Sequence, residues 1–153
     1  MSVFMTPEAL VDHWQGHRRL TRRVIEAFPA DQLFTFSIGG MRPFGEMVRE
    51  FLAMTAPMAR GLLTGQWDKY VLGDVTSKDA LLARWDEDTA LLNDILPKVI
   101  PAKYAEQMVA FGEYPGTGCS LAMYVIDNEI HHRAQGYVYL RSLGITPPPF
   151  YER

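Results

Sequence analysis

The stretch Leu121–Leu143, LAMYVIDNEIHHRAQGYVYLRSL, decides the fold. At about 100° per residue, one arc of a helix collects Leu121, Tyr124, Val125, Asn128, His132, Gln135, Tyr139 and Leu143. A second apolar stripe holds Met123, Ile126, Ile130 and Tyr137. A helix that is apolar on two sides is buried on both. The stretch therefore reads as a central helix from about Cys119 to Leu143, wrapped by other helices or packed against a second subunit. Gly144 stops it, and Pro147–Pro149 forbids its return. Three inner positions, Asn128, His132 and Gln135, are polar. A buried polar group without a partner costs roughly 1–3 kcal/mol, so these three imply a network, a ligand or a cavity. His131 points a quarter-turn away from His132, toward a helix boundary or the surface.

Working outward, three more amphipathic segments can surround this one. Thr6-Pro7-Glu8 is a helix start: a capping hydroxyl, a proline at the first position and an acid near the positive end of the dipole. Leu10, Trp14, Val24 and Phe28 follow on one face, with Arg18, Arg22 and Arg23 opposite, and Pro29 ends the segment. Residues 29 to 43 read as an extended connection. A second helix is predicted from about Pro43 to Leu63, with Phe44, Met47, Val48, Phe51, Thr55, Met58 and Leu62 inward and a kink at Pro57. A loop over residues 65 to 76 leads to Ser77-Lys78-Asp79, another capping signature. The third helix carries Leu81, Leu82, Trp85, Leu92 and Leu96 inward, with Asp86, Glu87 and Asp88 outward. Residues 97 to 118, rich in proline and glycine, are expected to be irregular, with one helical turn around Tyr104–Val109. The fold class is all-α, a four-helix bundle.

The 153 residues suit one domain. With 48% hydrophobic residues the chain can bury a sizeable core. A net charge of −3 argues against nucleic-acid binding by a basic face. Cys119 is the only cysteine, so no internal disulfide forms, in keeping with a reducing compartment. No apolar run approaches the ~18 residues of a membrane span. The first ten residues carry no basic-then-apolar signal pattern. A cytoplasmic protein with no membrane or nucleic-acid partner is the expectation. His13 and His17 are spaced i, i+4, as metal ligands can be, but the plainer reading makes His17 a hydrogen-bonded core residue and His13 a boundary one.

The segments MRPFGEMVREFLAM and NEIHHRAQGYVYLRSLGITPPPFY, with the helix-one ending RRVIEAFPADQL, resemble the DinB-like family, also described with the YfiT-like metal-dependent hydrolases. The resemblance spans nearly the whole chain. It implies an up-down-down-up four-helix bundle, often a homodimer. It also implies a divalent ion such as zinc or nickel on three histidines, one from the second helix and two, one turn apart, from the last. The activities implied are hydrolysis or thiol-dependent transfer and isomerisation of small molecules. Carried onto this sequence, the second-helix histidine falls on Glu50 and the first last-helix histidine on Asn128. Only His132 is kept, and Ala134 replaces the family's glycine.

That set departs from the family in a chemically meaningful way. Glu50 can ligate as a carboxylate, but Asn128 offers a neutral carbonyl oxygen, a poor ligand for zinc or nickel. The exchange favours a harder ion, or none. Without a metal the three residues can satisfy one another, Glu50 accepting from His132 with Asn128 alongside. Three functions stay open: a metal-dependent transferase or hydrolase, a metal-free binding protein with a pocket lined by Trp14, His17, Tyr124 and Tyr139, and an acid–base enzyme using Glu50 and His132.

Overall fold

The computed structural model describes residues 5–69 and 71–153. The signal-peptide reading of residues 1–4 and the loop reading at Tyr70 lie outside them. Helix α1 spans Pro7–Ala27, and Thr6 accepts from the Ala9 N–H at 3.2 Å as its cap. Helix α2 spans Phe44–Thr64 and runs through Pro57. It ends at Gly65, whose φ of 76° is the left-handed conformation a closing glycine adopts without a Cβ clash. Helix α3 spans Lys78–Ile95 behind the Ser77 cap and passes into a 3-10 turn at Leu96–Lys98. Helix α5, Gly118–Ser142, is capped by Thr117. The chain is mostly helical, as expected.

Residues 97 to 118 differ from expectation. They form a short helix α4 at Pro101–Ala105, then strands β1 at Gln107–Ala110 and β2 at Tyr114–Thr117, paired antiparallel. The turn between them takes left-handed φ values at Phe111 (57°) and Gly112 (73°). Two successive left-handed residues reverse the chain tightly enough for Ala110 to face Tyr114. Of the glycines and prolines that suggested irregularity, Gly112 helps turn this hairpin, while Pro101 opens α4 and Pro115 lies within β2.

Helices α1 and α2 each pack against both α3 and α5. The core is apolar along α2, where Phe44, Val48, Phe51, Leu52, Ala59 and Leu62 are fully buried. The second stripe of α5 is covered within the chain. Ile126 is fully buried, while Met123, Ile130 and Tyr137 pack against the core, and the Tyr137 hydroxyl donates to the carbonyl of Pro148.

Two expected outward faces are corrected. Arg18 is fully buried, because α3 covers that side of α1. Its guanidinium lies 4.0 Å over the Trp85 ring and donates to the carbonyl of Trp85 and the hydroxyl of Thr89. Asp88 is buried as well, its carboxylate held by Nε of Arg84 at 3.0 Å. The α1–α5 interface is also polar. Glu129 (1% exposed) sits opposite Thr21, and Arg133 beside both, none of which the sequence reading places in the core.

Candidate functional site

Glu50 projects from the first third of α2 toward two residues of α5 that lie one turn apart. Asn128 donates from Nδ2 to Oε1 of Glu50 at 3.1 Å, and Nε2 of His132 lies 3.3 Å from the same oxygen. The structure thus brings Glu50, Asn128 and His132 together. The other ring nitrogen of His132 lies 3.0 Å from Oε1 of Gln135. Both nitrogens face oxygens, so an imidazolium donates to both and a neutral ring to one. Beneath the ring, Phe51 stacks on His132 at 6.3 Å, and Trp85 meets Phe51 edge-on at 5.8 Å.

A fourth residue completes the cluster. Arg42 comes from the connection before α2, and its guanidinium reaches Oε2 of Glu50 at 2.5 Å. Its backbone carbonyl accepts from the buried Tyr139 hydroxyl at 2.9 Å, which anchors the loop over α5. Burial works against a charged Glu50. The hydrogen bonds from Asn128, Arg42 and His132 outweigh it, and the carboxyl is held below the usual range. Sequence periodicity could not reveal Arg42, since loop residues follow no repeat. Its position eight residues before Glu50 was the available signal.

These donors suit a zinc or nickel ion poorly. Both oxygens of Glu50 are already engaged, and Arg42 supplies the positive charge. Only one imidazole is available, and Asn128 presents its amide nitrogen to Glu50 while its Oδ1 is buried without a partner. Among the described residues no group of three His, Cys, Asp or Glu could hold a metal ion.

Glu50 also forms the polar end of a cleft of about 640 Å³ between α2, α5 and the hairpin. Its walls are Met54, Met58, Phe111, Tyr114, Leu121 and Tyr124. The pocket expected from Trp14, His17, Tyr124 and Tyr139 does not form. Only Tyr124 lines the cleft, Tyr139 is buried under Arg42, and His17 faces Arg133 across α1 and α5. His13 packs edge-on against His17 at 4.5 Å, and His131 is exposed.

The model of the DinB family matches residues 1–153, and the chain belongs to that family. The uncharacterized protein YjoA of Bacillus subtilis is 24% identical over 147 residues, covering 94% of this chain and 95% of that protein. The crystal structure of that DinB-like protein superposes with a TM-score of 0.73 at 23% identity, over 94% of this chain and 97% of the other. A DinB-like protein from Bacillus cereus gives 0.76 at 18% identity, over 97% and 100%. A mutant of the mycothiol-dependent maleylpyruvate isomerase gives 0.63 at 13% identity, over 94% of this chain and 70% of that one. At these identities the likenesses show the shared fold. No helix among the described residues is long and apolar enough to cross a membrane.

Proposed function

We propose that this DinB-family chain binds a small, largely apolar molecule in the cleft between α2, α5 and the hairpin, and does so without a transition-metal ion. The observation that carries the reading is the double role of Glu50. It lines the cleft, and its carboxylate is already neutralised by Arg42 and held by Asn128 and His132. An apolar cavity with a few convergent polar groups at one end is the usual form of a small-molecule site. At that end the Glu50–His132 pair is positioned to pass a proton to or from the ligand's polar group. The competing reading is the one the family suggests, a metal-dependent hydrolase or thiol transferase with the ion on Glu50, Asn128 and His132. The same proposal takes the four long helices as an up-down-down-up bundle and the chain as a homodimer, pairing through the exposed α5 residues Tyr124, His131 and Val138.

Elemental analysis of protein purified without chelator separates the two readings, run beside a thermal-shift screen of small aromatic and aliphatic compounds. The expected result is no stoichiometric zinc or nickel, together with stabilising compounds whose effect disappears when Met58→Trp fills the cleft. Near-stoichiometric metal that is lost in a Glu50→Ala, His132→Ala protein would overturn the proposal. Sedimentation analysis reads the oligomeric state.

A further inference from the structure

Among the described residues neither ring nitrogen of His17 finds an acceptor. Nδ1 lies 2.9 Å from a terminal nitrogen of Arg133, and Nε2 lies 3.0 Å from one of Arg153. A guanidinium offers donors only. Burial, with Arg133, Arg153 and His13 nearby, pushes the imidazole pKa down to about 3, so near neutral pH the ring is uncharged and carries one N–H. One of the two contacts must therefore set a donor against a donor. Arg133 is the fixed partner. It is buried, and its other terminal nitrogen donates to the His17 carbonyl at 3.1 Å and the Thr21 hydroxyl at 3.0 Å. Nδ1 is thus the acceptor, and the proton sits on Nε2, aimed at Arg153. The tautomer follows from this network, as it must where hydrogens are inferred.

The surface above His17 is cationic and under-partnered. Arg153 crosses α1 over Gly16, where a Cβ would meet Cβ of Arg153 at 3.4 Å and Nη2 of Arg19 at 3.6 Å. Arg19 and Arg153 are exposed. Among the described residues Arg19 has no hydrogen-bond or ion-pair partner, and the one polar side-chain contact of Arg153 is with Nε2 of His17. A shallow depression of about 320 Å³ joins these two arginines to Arg22, Arg23, Glu26 and Glu152. The acids are already engaged there: Glu26 and Asp86 hold Arg22, and Glu152 pairs with Arg23. What is left over in the depression is a pair of guanidinium groups, those of Arg19 and Arg153, with Nε2 of His17 beneath Arg153.

We propose that this depression is a binding site for a phosphate-type oxyanion, free or as a monoester, held between Arg19 and Arg153, with Arg153 swinging off Nε2 of His17 to reach it. The anion accepts from both guanidinium groups and draws the exposed Arg153 away from Nε2–H of His17, which ends the donor–donor contact. Charge-assisted bonds from two guanidinium forks are the usual means of holding such a group. The site shares no residue with the cleft at Glu50, so it stands or falls independently of the function proposed above.

The test is a titration of ¹⁵N-labelled protein with inorganic phosphate at constant ionic strength set by sodium chloride, following the imidazole nitrogens of His17. Before phosphate is added, the ring should be the Nε2-protonated tautomer. Phosphate should then shift Nε2 saturably, and Arg19→Gln and Arg153→Gln should each raise the Kd at least about fivefold. Both replacements lie on the surface and leave the core intact. Glycerol phosphate in place of phosphate identifies the source: tighter binding marks a monoester, weaker binding the free ion. A shift that stays linear in phosphate, or is unchanged in the Arg19→Gln, Arg153→Gln double variant, overturns the proposal. So does a ring protonated on Nδ1.

Discussion

Arg42 lies 2.5 Å from Oε2 of Glu50, on the opposite oxygen from the one that Asn128 and His132 share. The guanidinium therefore stands as counter-charge to the carboxylate. A divalent ion has to displace it, and must also turn Asn128 around so that a carbonyl oxygen, not an amide nitrogen, faces inward.

Restoring nitrogen ligands should accordingly matter more than supplying metal. A Glu50→His, Asn128→His protein, which keeps His132, places three imidazoles where the carboxylate and amide now sit. It is expected to take up zinc or nickel with at least about a hundredfold higher affinity than the parent chain, as donor softness requires. Competition with a coloured chelator measures this. Equal affinity in the two proteins would show that the ligand exchange is immaterial.

Acid should destabilise the protein through His17. Its folded pKa is lowered to about 3 from an ordinary 6.5, so between those values the unfolded chain binds the proton that the folded chain refuses. The contribution is fully present above about pH 6.5 and is lost as pH falls toward 3. Burial raises the Glu129 carboxyl, against Arg18, Thr21 and Arg133, so its contribution runs in the opposite direction. Urea unfolding of wild type and His17→Gln at pH 7.5, 5.5 and 4.5 isolates the histidine. The variant should lose less stability on acidification, and equal losses would disprove the assignment.

The buried charge layer between α1 and α5 makes a sharper mutational prediction. The Thr21 hydroxyl is 3.0 Å from the His17 carbonyl and 2.5 Å from Oε1 of Glu129, and its one proton cannot serve both. A protonated Glu129, in line with its raised pKa, donates to Thr21 and settles the count. Glu129→Gln should then be mild. Glu129→Ala removes the hydrogen bond to the Thr21 hydroxyl and leaves a cavity beside the buried Arg18 and Arg133, and should cost about 2–4 kcal/mol. Chemical denaturation of the two variants distinguishes them, and equal losses would contradict this account.

Gly136 lets α5 pack directly against the Phe44 ring of α2. A Cβ there would sit 2.6 Å from the Phe44 ring, which is itself stacked on Phe28 at 4.9 Å and has nowhere to go. Gly136→Ala is expected to destabilise the fold by about 1–3 kcal/mol despite its better helix propensity. A rise in melting temperature would show that the interface yields.

The long helices were legible because their ends are written in single residues, Thr6, Ser77 and Gly65, and their inner faces in apolar spacing. The grouping of Glu50, Asn128 and His132 was legible through the family pattern. The buried charges were not. Ala122, Ile126, Glu129, Arg133, Gly136 and Leu140 share one buried face of α5, yet Glu129 and Arg133 have the ordinary look of an exposed i, i+4 ion pair. Arg18 and Asp88 were misplaced for the same reason. Spacing shows which side of a helix is polar, and the polarity of its neighbour decides whether that side meets water. The hairpin was hidden because its turn uses Phe111 and Gly112, without the usual asparagine or aspartate.

The line of rings from Arg18 through Trp85 and Phe51 to His132 gives the protein its own spectroscopic probe. Indole emission responds to a cation on its face and to the packing along its edge, and Trp85 has Arg18 on the one and Phe51 on the other. With Trp14 and Trp67 replaced by phenylalanine, the remaining fluorophore looks through a single benzene ring at the candidate site. Filling of the cleft, or rearrangement around His132, can then be followed by light, with no label attached and no substrate yet in hand.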